Sequence, residues 1–174
     1  NGHVTITLNL IQAGAQLDLQ DKYGRSALMF AASRNYAEVA QLLIQAGAAL
    51  ELTNRLGETA LIRAATYGNM QLSKILINAG SNLNAQNEFG WSALMRAAYG
   101  GYSGIVSILT HANAKLDLRD KDNWSALMWA SSNGYSNTVA ILIGAGAQLD
   151  LQNKHGATAL MLAAYYGHLS TASL

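Results

Sequence analysis

The side chains able to do chemistry are four histidines, His3, His111, His155 and His168, and carboxylates that recur in pairs. No histidine stands three or four residues from another histidine or a carboxylate, the helical spacing that would bring two ligands to one metal ion. Each therefore reads as a turn or helix-end residue. Asp18 pairs with Asp21, Asp117 with Asp120, and Asp150 lies beside Asn153. Paired carboxylates suit acid–base catalysis or calcium binding. Yet Asp18, Glu51, Asn84, Asp117 and Asp150 fall at one recurring place, and acid and amide interchange there. A catalytic group would not tolerate that exchange, whereas turn hydrogen bonding does. The chain has no Cys, which excludes thiolate chemistry, disulfides and Cys-based zinc sites. Its 16 Gly are spread along the chain, and none forms a phosphate loop after a strand. No Ser has a His and an Asp arranged beside it. The sequon Asn123-Trp124-Ser125 lies in a turn and reads as chance. The chain reads as non-catalytic, with no cofactor and no metal required.

The elements that position these residues follow from a sentence repeated every 33 residues. Gly24-Arg25-Ser26-Ala27-Leu28-Met29 returns at Gly57, Gly90, Asn123 and Gly156. A fixed period of this length means stacked supersecondary units. The spacing predicts one continuous array: a partial unit 1–20, units 21–53, 54–86, 87–119 and 120–152, and a partial unit 153–174. Each unit opens on a turn whose fourth residue is Gly, or Asn once, the residues that best tolerate a positive φ. Ser26, Thr59, Ser92, Ser125 and Thr158 stand where an N-cap hydroxyl belongs. A small-residue face follows (Ala27, Leu28, Ala31 and Ala32 in one unit), and Asn35, Gly68, Gly101, Gly134 and Gly167 end this first helix. A second helix places apolar residues at helical spacing, as in Val39, Leu42 and Leu43, and stops at Gly47, Gly80, Asn113 and Gly146. The alternation of Ala48 to Leu52 and Ala147 to Leu151 predicts a strand or hairpin arm reaching the next turn.

Helix, turn, helix and projecting hairpin at this period resemble the ankyrin repeat. The family's Thr-Pro-Leu-His-x-Ala signature appears as Ser/Thr-Ala-Leu-Met-x-Ala. Gly2-His3 and Gly167-His168 are similar to its Gly-His pair, and Leu43-Ile44-Gln45-Ala46-Gly47-Ala48 to its unit ending. The resemblance covers the whole chain and implies an all-α repeat solenoid of ankyrin type with projecting β-hairpin loops. Two departures stand out. Ala replaces Pro at Ala27, Ala60, Ala93, Ala126 and Ala159, and Ala propagates a helix well. Met or Ile replaces His at Met29, Ile62, Met95, Met128 and Met161, so these joints should rely on apolar packing.

Composition narrows the partner. The net charge of +1 provides no general attraction to nucleic acid. No apolar run approaches the 18 or so residues needed to cross a bilayer, so membrane insertion is not expected. No signal peptide is visible, and the expected location is cytoplasmic. Charged residues are only 12%, which leaves the surface little protected against association. The chain begins inside a unit, and Leu174 falls inside another second helix. Neither end reads as a polar cap, so the array reads as a piece of a longer one or as self-associating through its ends. Ala13 to Gln20 recurs identically as Ala145 to Gln152, consistent with growth by duplication.

In a repeat protein, function belongs where units differ. Beside the hairpin tips the variable residues are Tyr23 and Arg25, Leu56 and Glu58, Phe89 and Trp91, Asp122 and Trp124, and His155 and Ala157. Late in the first helix Tyr67, Tyr99, Tyr165 and Tyr166 vary. Phe30, Arg63, Arg96 and Trp129 share one place earlier in that helix. The resemblance implies that these sets line one concave face. Trp, Tyr and Arg dominate interface hot spots. The candidate partner-binding residues are therefore Tyr23, Arg25, Leu56, Glu58, Arg63, Tyr67, Phe89, Trp91, Arg96, Tyr99, Asp122, Trp124, Trp129, Tyr165 and Tyr166. Tyr36, Tyr102 and Tyr135 share a place at the start of the second helix and read as inter-unit packing. On this reading the protein is a non-catalytic scaffold for a protein partner, and Trp91 and Trp124 can be truncated with little change in melting. The alternative is a structural array that assembles into an oligomer or filament.

Overall fold

The structure is a computed structural model that describes residues 2–168. The described residues form ten helices: α1 (Gly2–Gln12), α2 (Ala27–Arg34), α3 (Ala37–Gln45), α4 (Ala60–Thr66), α5 (Met70–Asn78), α6 (Ala93–Tyr99), α7 (Ser103–His111), α8 (Ala126–Ser132), α9 (Ser136–Gly144) and α10 (Ala159–Tyr165). They stack in two layers. The first helices α2, α4, α6, α8 and α10 pack in sequence, and the second helices α1, α3, α5, α7 and α9 do the same. The last second helix, expected to include Leu174, lies outside the described residues.

First helices of 7 or 8 residues cannot persist alone. Two features hold them. Ser26, Thr59, Ser92, Ser125 and Thr158 each accept a hydrogen bond from the backbone N–H three residues on. The small face then lets neighbouring helices close in: Ala32, Ala64, Ala65, Ala97, Ala98 and Ala130 are fully buried. Leu28, Leu61, Leu94, Met29, Ile62, Met95 and Met128 are also buried, each contributing roughly 2 kcal/mol. The positions where Met or Ile stands thus form apolar joints, except at Met161, which is exposed.

The turn residues behave as their chemistry requires. Among the described residues, the non-glycine residues with positive φ are Asn35, Asn113 and Asn123. These are the three places where Asn replaces a repeated Gly. Asp21, Asn54, Asn87, Asp120 and Asn153 each accept two backbone N–H groups on Oδ1, from the second and fourth residues beyond. Asp18, Glu51, Asn84 and Asp117 accept a backbone N–H from the next unit, at Ala49, Asn82, Lys115 and Gln148. The interchange of Asp, Asn and Glu is explained, because each position needs only an acceptor oxygen.

The expected strands are not there. The arms at Ala48 to Leu52 and Ala147 to Leu151 are turns and irregular chain, and the isolated bridge found is Gln86 with Ser92. Side-chain acceptors and tip-to-tip bonds take backbone groups that a ladder would otherwise use. Successive tips join directly: Arg55 N–H to Tyr23 C=O (2.9 Å), Glu88 to Leu56 (3.0 Å), Lys121 to Phe89 (3.0 Å) and Lys154 to Asp122 (3.1 Å). The loops project and lock in register without forming a sheet.

This locking makes one glycine more demanding than its counterpart. Gly90 (φ +81°) has no room for a Cβ, which would stand 2.8 Å from Asp120 Cα on the next tip. Gly156 (φ +75°) has open space. Gly156→Ala should cost about 1 kcal/mol of left-handed strain. Gly90→Ala should cost about 3 kcal/mol, because two backbones must part. Denaturant titration of both variants checks this, and equal costs would show that the tips do not hold one another.

On the second layer, a Cβ at Gly101 would stand 2.8 Å from the Tyr135 ring, and one at Gly68 2.6 Å from the Tyr102 ring. His3 stacks on Tyr36 at 5.9 Å. These rings pack between units, as their shared position suggested.

Candidate partner-binding face

The loop tips and first helices bring most of the candidate residues into one chain of contacts. It begins at the Ser33 hydroxyl, which accepts from Arg63 Nε (2.7 Å). Arg63 also donates to Glu58 Oε2 (2.9 Å) and to the Tyr67 hydroxyl (3.3 Å), with its guanidinium 5.4 Å from the Tyr67 ring. Glu58 is 5% exposed and faces a second cation, Arg96, at 3.5 Å. Asn54 Nδ2 also donates to Glu58 (3.0 Å). Arg96 in turn covers the Trp91 ring at 4.4 Å.

Trp91 opens an aromatic cluster. Its ring lies 4.6 Å from Trp129, which stacks on Trp124 at 4.2 Å. Tyr99 meets both Trp91 (5.4 Å) and Trp129 (5.3 Å) edge-on, the arrangement that aromatic quadrupoles favour. Trp129 Nε1 donates to Asp120 Oδ2 (3.0 Å), which fixes the central ring. All three tryptophans are partly buried against the core, while Tyr67, Phe89 and Tyr99 stay about half exposed.

This placement revises one expectation. Trp91 and Trp124 pack on Trp129 and the core, so truncating them should cost stability as well as surface. Glu58, read as a variable surface residue, is an internal counter-ion. Tyr23 and Leu56 are exposed at the tips. Arg25 is paired with Asp21 (2.7 Å) and lies over Tyr23 (4.9 Å) and Phe30 (4.5 Å). That hydrogen bond is the main reason the Asp21 carboxyl is held down at about 2, helped by the backbone N–H groups of Arg25 and Tyr23. Asp122 pairs with Lys154 (3.2 Å) in an exposed bridge of little energetic weight. Tyr165 and Tyr166 contact each other (5.0 Å) and stand apart from the tryptophans.

The histidines are dispersed. His111 Nδ1 hydrogen-bonds the Ser107 carbonyl and His168 Nε2 the Ser132 carbonyl. Among the described residues no group of three or more His, Cys, Asp or Glu side chains could hold a metal ion. No helix among them is long and apolar enough to cross a membrane.

The sequence matches a family described as ankyrin repeats (3 copies), in overlapping windows at residues 1–87, 39–120, 66–153 and 94–174. The chain belongs to the ankyrin repeat family. No individual curated protein matches it. Ankyrin repeats generally serve as protein–protein interaction modules and non-catalytic scaffolds.

Two residues of this ankyrin array escaped attention as site residues. Asp120 and Asn87 share one turn position; the sequence assigns Asp120 to turn hydrogen bonding and does not single out Asn87. The available signal was the choice between acid and amide. Asp stands at 21 and 120, where Arg25 and Trp129 offer a donor to its second oxygen. Asn stands at 54, where Glu58 offers an acceptor. At Asn87 the rule lapses, and Nδ2 is buried with no partner among the described residues.

Proposed function

We propose that this ankyrin array binds a protein partner across the concave face formed by its loop tips and first helices, without chemistry of its own. The observation that carries this reading is the division of labour on that face. Arg63, Glu58 and Trp129 are held inside, while Tyr67, Phe89 and Tyr99 stand half exposed on top of them. Rigid aromatics that keep their surface toward solvent on a locked scaffold suit recognition. The partial and complete units from 1 to 174 act as one continuous module, and the expected setting is cytoplasmic.

Tyr67→Ala, Phe89→Ala and Tyr99→Ala combined should leave the melting transition within a few degrees, because these side chains are half exposed. The variant should lose a defined set of proteins that crosslink to the wild-type chain in cells. An unchanged set, with the fold intact, would place binding elsewhere.

A second reading is self-association. Charged residues are only 12% of the sequence, which leaves the surface little protected against association. A mass that grows in ordered steps with concentration supports this reading, and a constant monomer mass removes it.

A further inference from the structure

Arg63 and Arg96 occupy the same place in successive repeats and differ sharply in their bonding. Arg63 donates to Ser33, Glu58 and Tyr67. The Arg96 guanidinium donates no hydrogen bond to any described residue. Its Nε is buried and unpartnered, and its polar contact is the 3.5 Å approach to Glu58, which Arg63 already occupies at 2.9 Å. Asn87 Nδ2, in the same repeat, is a second buried donor without an acceptor.

Both deficits have one cause. Trp91 stands where the preceding repeat has Glu58. There the carboxylate receives Asn54 Nδ2 and Arg63; here an indole replaces it, and an amide and a guanidinium are left over. Asp120, on the following tip, is engaged by other donors. Its Oδ1 takes the N–H groups of Asp122 and Trp124, and its Oδ2 takes Trp129 Nε1. Arg96 is nonetheless reachable, with 22% of its side chain exposed.

We propose that the partner supplies the missing carboxylate: an Asp or Glu side chain, on a partner segment with neighbouring apolar residues, that docks on Arg96 beside Trp91 and Tyr99. This inference rests on the concave-face reading above and names the chemistry it recognises. The Arg96 guanidinium stands 4.4 Å from the Trp91 ring with part of the side chain exposed, and its planar fork suits a bidentate carboxylate. Partial burial strengthens the bond relative to open solvent. The half-exposed rings of Tyr99 and Phe89 offer apolar contact to the flanking residues. A carboxylate docked on the exposed part of Arg96 forms a charge-assisted bond that an isosteric amide matches only in part.

The test uses short random peptides displayed and selected on the wild-type chain, then synthesised with acetylated N-termini and amidated C-termini. Only side-chain carboxylates then remain. Selected binders should share an Asp or Glu at one position. Changing it to the amide should weaken binding to the wild-type chain by about tenfold or more in calorimetry. That measurement needs no protein variant. Arg96→Gln should bind the acid and amide peptides equally, and Arg96→Lys should recover only part of the difference. Binders that lose affinity on Tyr99→Ala yet show no acidic consensus, or no acid-to-amide loss, would overturn the carboxylate and leave the face intact. Selected binders indifferent to Tyr67→Ala, Phe89→Ala and Tyr99→Ala would overturn the face itself and the carboxylate with it.

Discussion

Trp129→Ala should destabilise the array by about 3 kcal/mol, more than truncation of any other ring on the face. Four contacts end together. Trp124 loses its stacking partner, and Trp91 and Tyr99 lose a neighbour that holds them at fixed angles. Asp120, 6% exposed in the intact array, loses the Trp129 Nε1 donor to its Oδ2, which weakens the satisfaction of its carboxylate. Trp129→Phe separates the terms. It keeps a stacking ring but not the indole N–H, and should cost about 1 kcal/mol. Denaturant unfolding followed by far-UV circular dichroism measures both. A loss below about 1 kcal/mol for Trp129→Ala would show that the aromatic cluster rests on the surface rather than joining repeats. Partner binding should also fall, since Tyr99 would no longer be held.

Glu58→Ala should cost a similar amount, about 3 kcal/mol, through charge rather than packing. Glu58 is the shared counter-ion of Arg63 and Arg96, at 2.9 and 3.5 Å, and also receives the Asn54 amide. Removing one partner of a buried pair leaves the other charge poorly compensated. Glu58→Gln keeps the shape and one acceptor oxygen, so it should lose less. Because the carboxylate is buried, the cost should persist at high salt, unlike that of the exposed Asp122–Lys154 bridge. Unfolding free energies at low and high salt test both points. A Glu58→Ala cost that vanishes in salt would mean the pair is a solvated surface feature.

Much of the fold was legible because the repeat reports each position five times. The Asn substitutions at 35, 113 and 123 identified left-handed positions from chemistry alone, since Asn is the side chain that best tolerates them. The cap hydroxyls at Ser26, Thr59, Ser92, Ser125 and Thr158 were equally readable. The arms were not. Alternation at Ala48 to Leu52 indicates a strand, but alternation cannot report that backbone groups are taken by side chains such as Asp18 and by the next tip. The same limit applied to the face. Variability marked Glu58, Trp91 and Trp124 as surface, because comparing units within one chain shows which letters change and not which way they point.

The sequence by itself therefore determined the period, the helices, their caps and the positive-φ turns, since these depend on residues within a few positions of one another. It also carried the signature of ankyrin repeats, which generally serve as protein–protein interaction modules. Only the tertiary structure decided which variable residues are internal and which remain exposed. Ser33, Glu58, Arg63 and Arg96 come from successive repeats, and their distances exist only after stacking. The unmatched donors of Arg96 and Asn87 are a property of that stacking, because a donor is orphaned only when packing removes water and supplies no acceptor in its place.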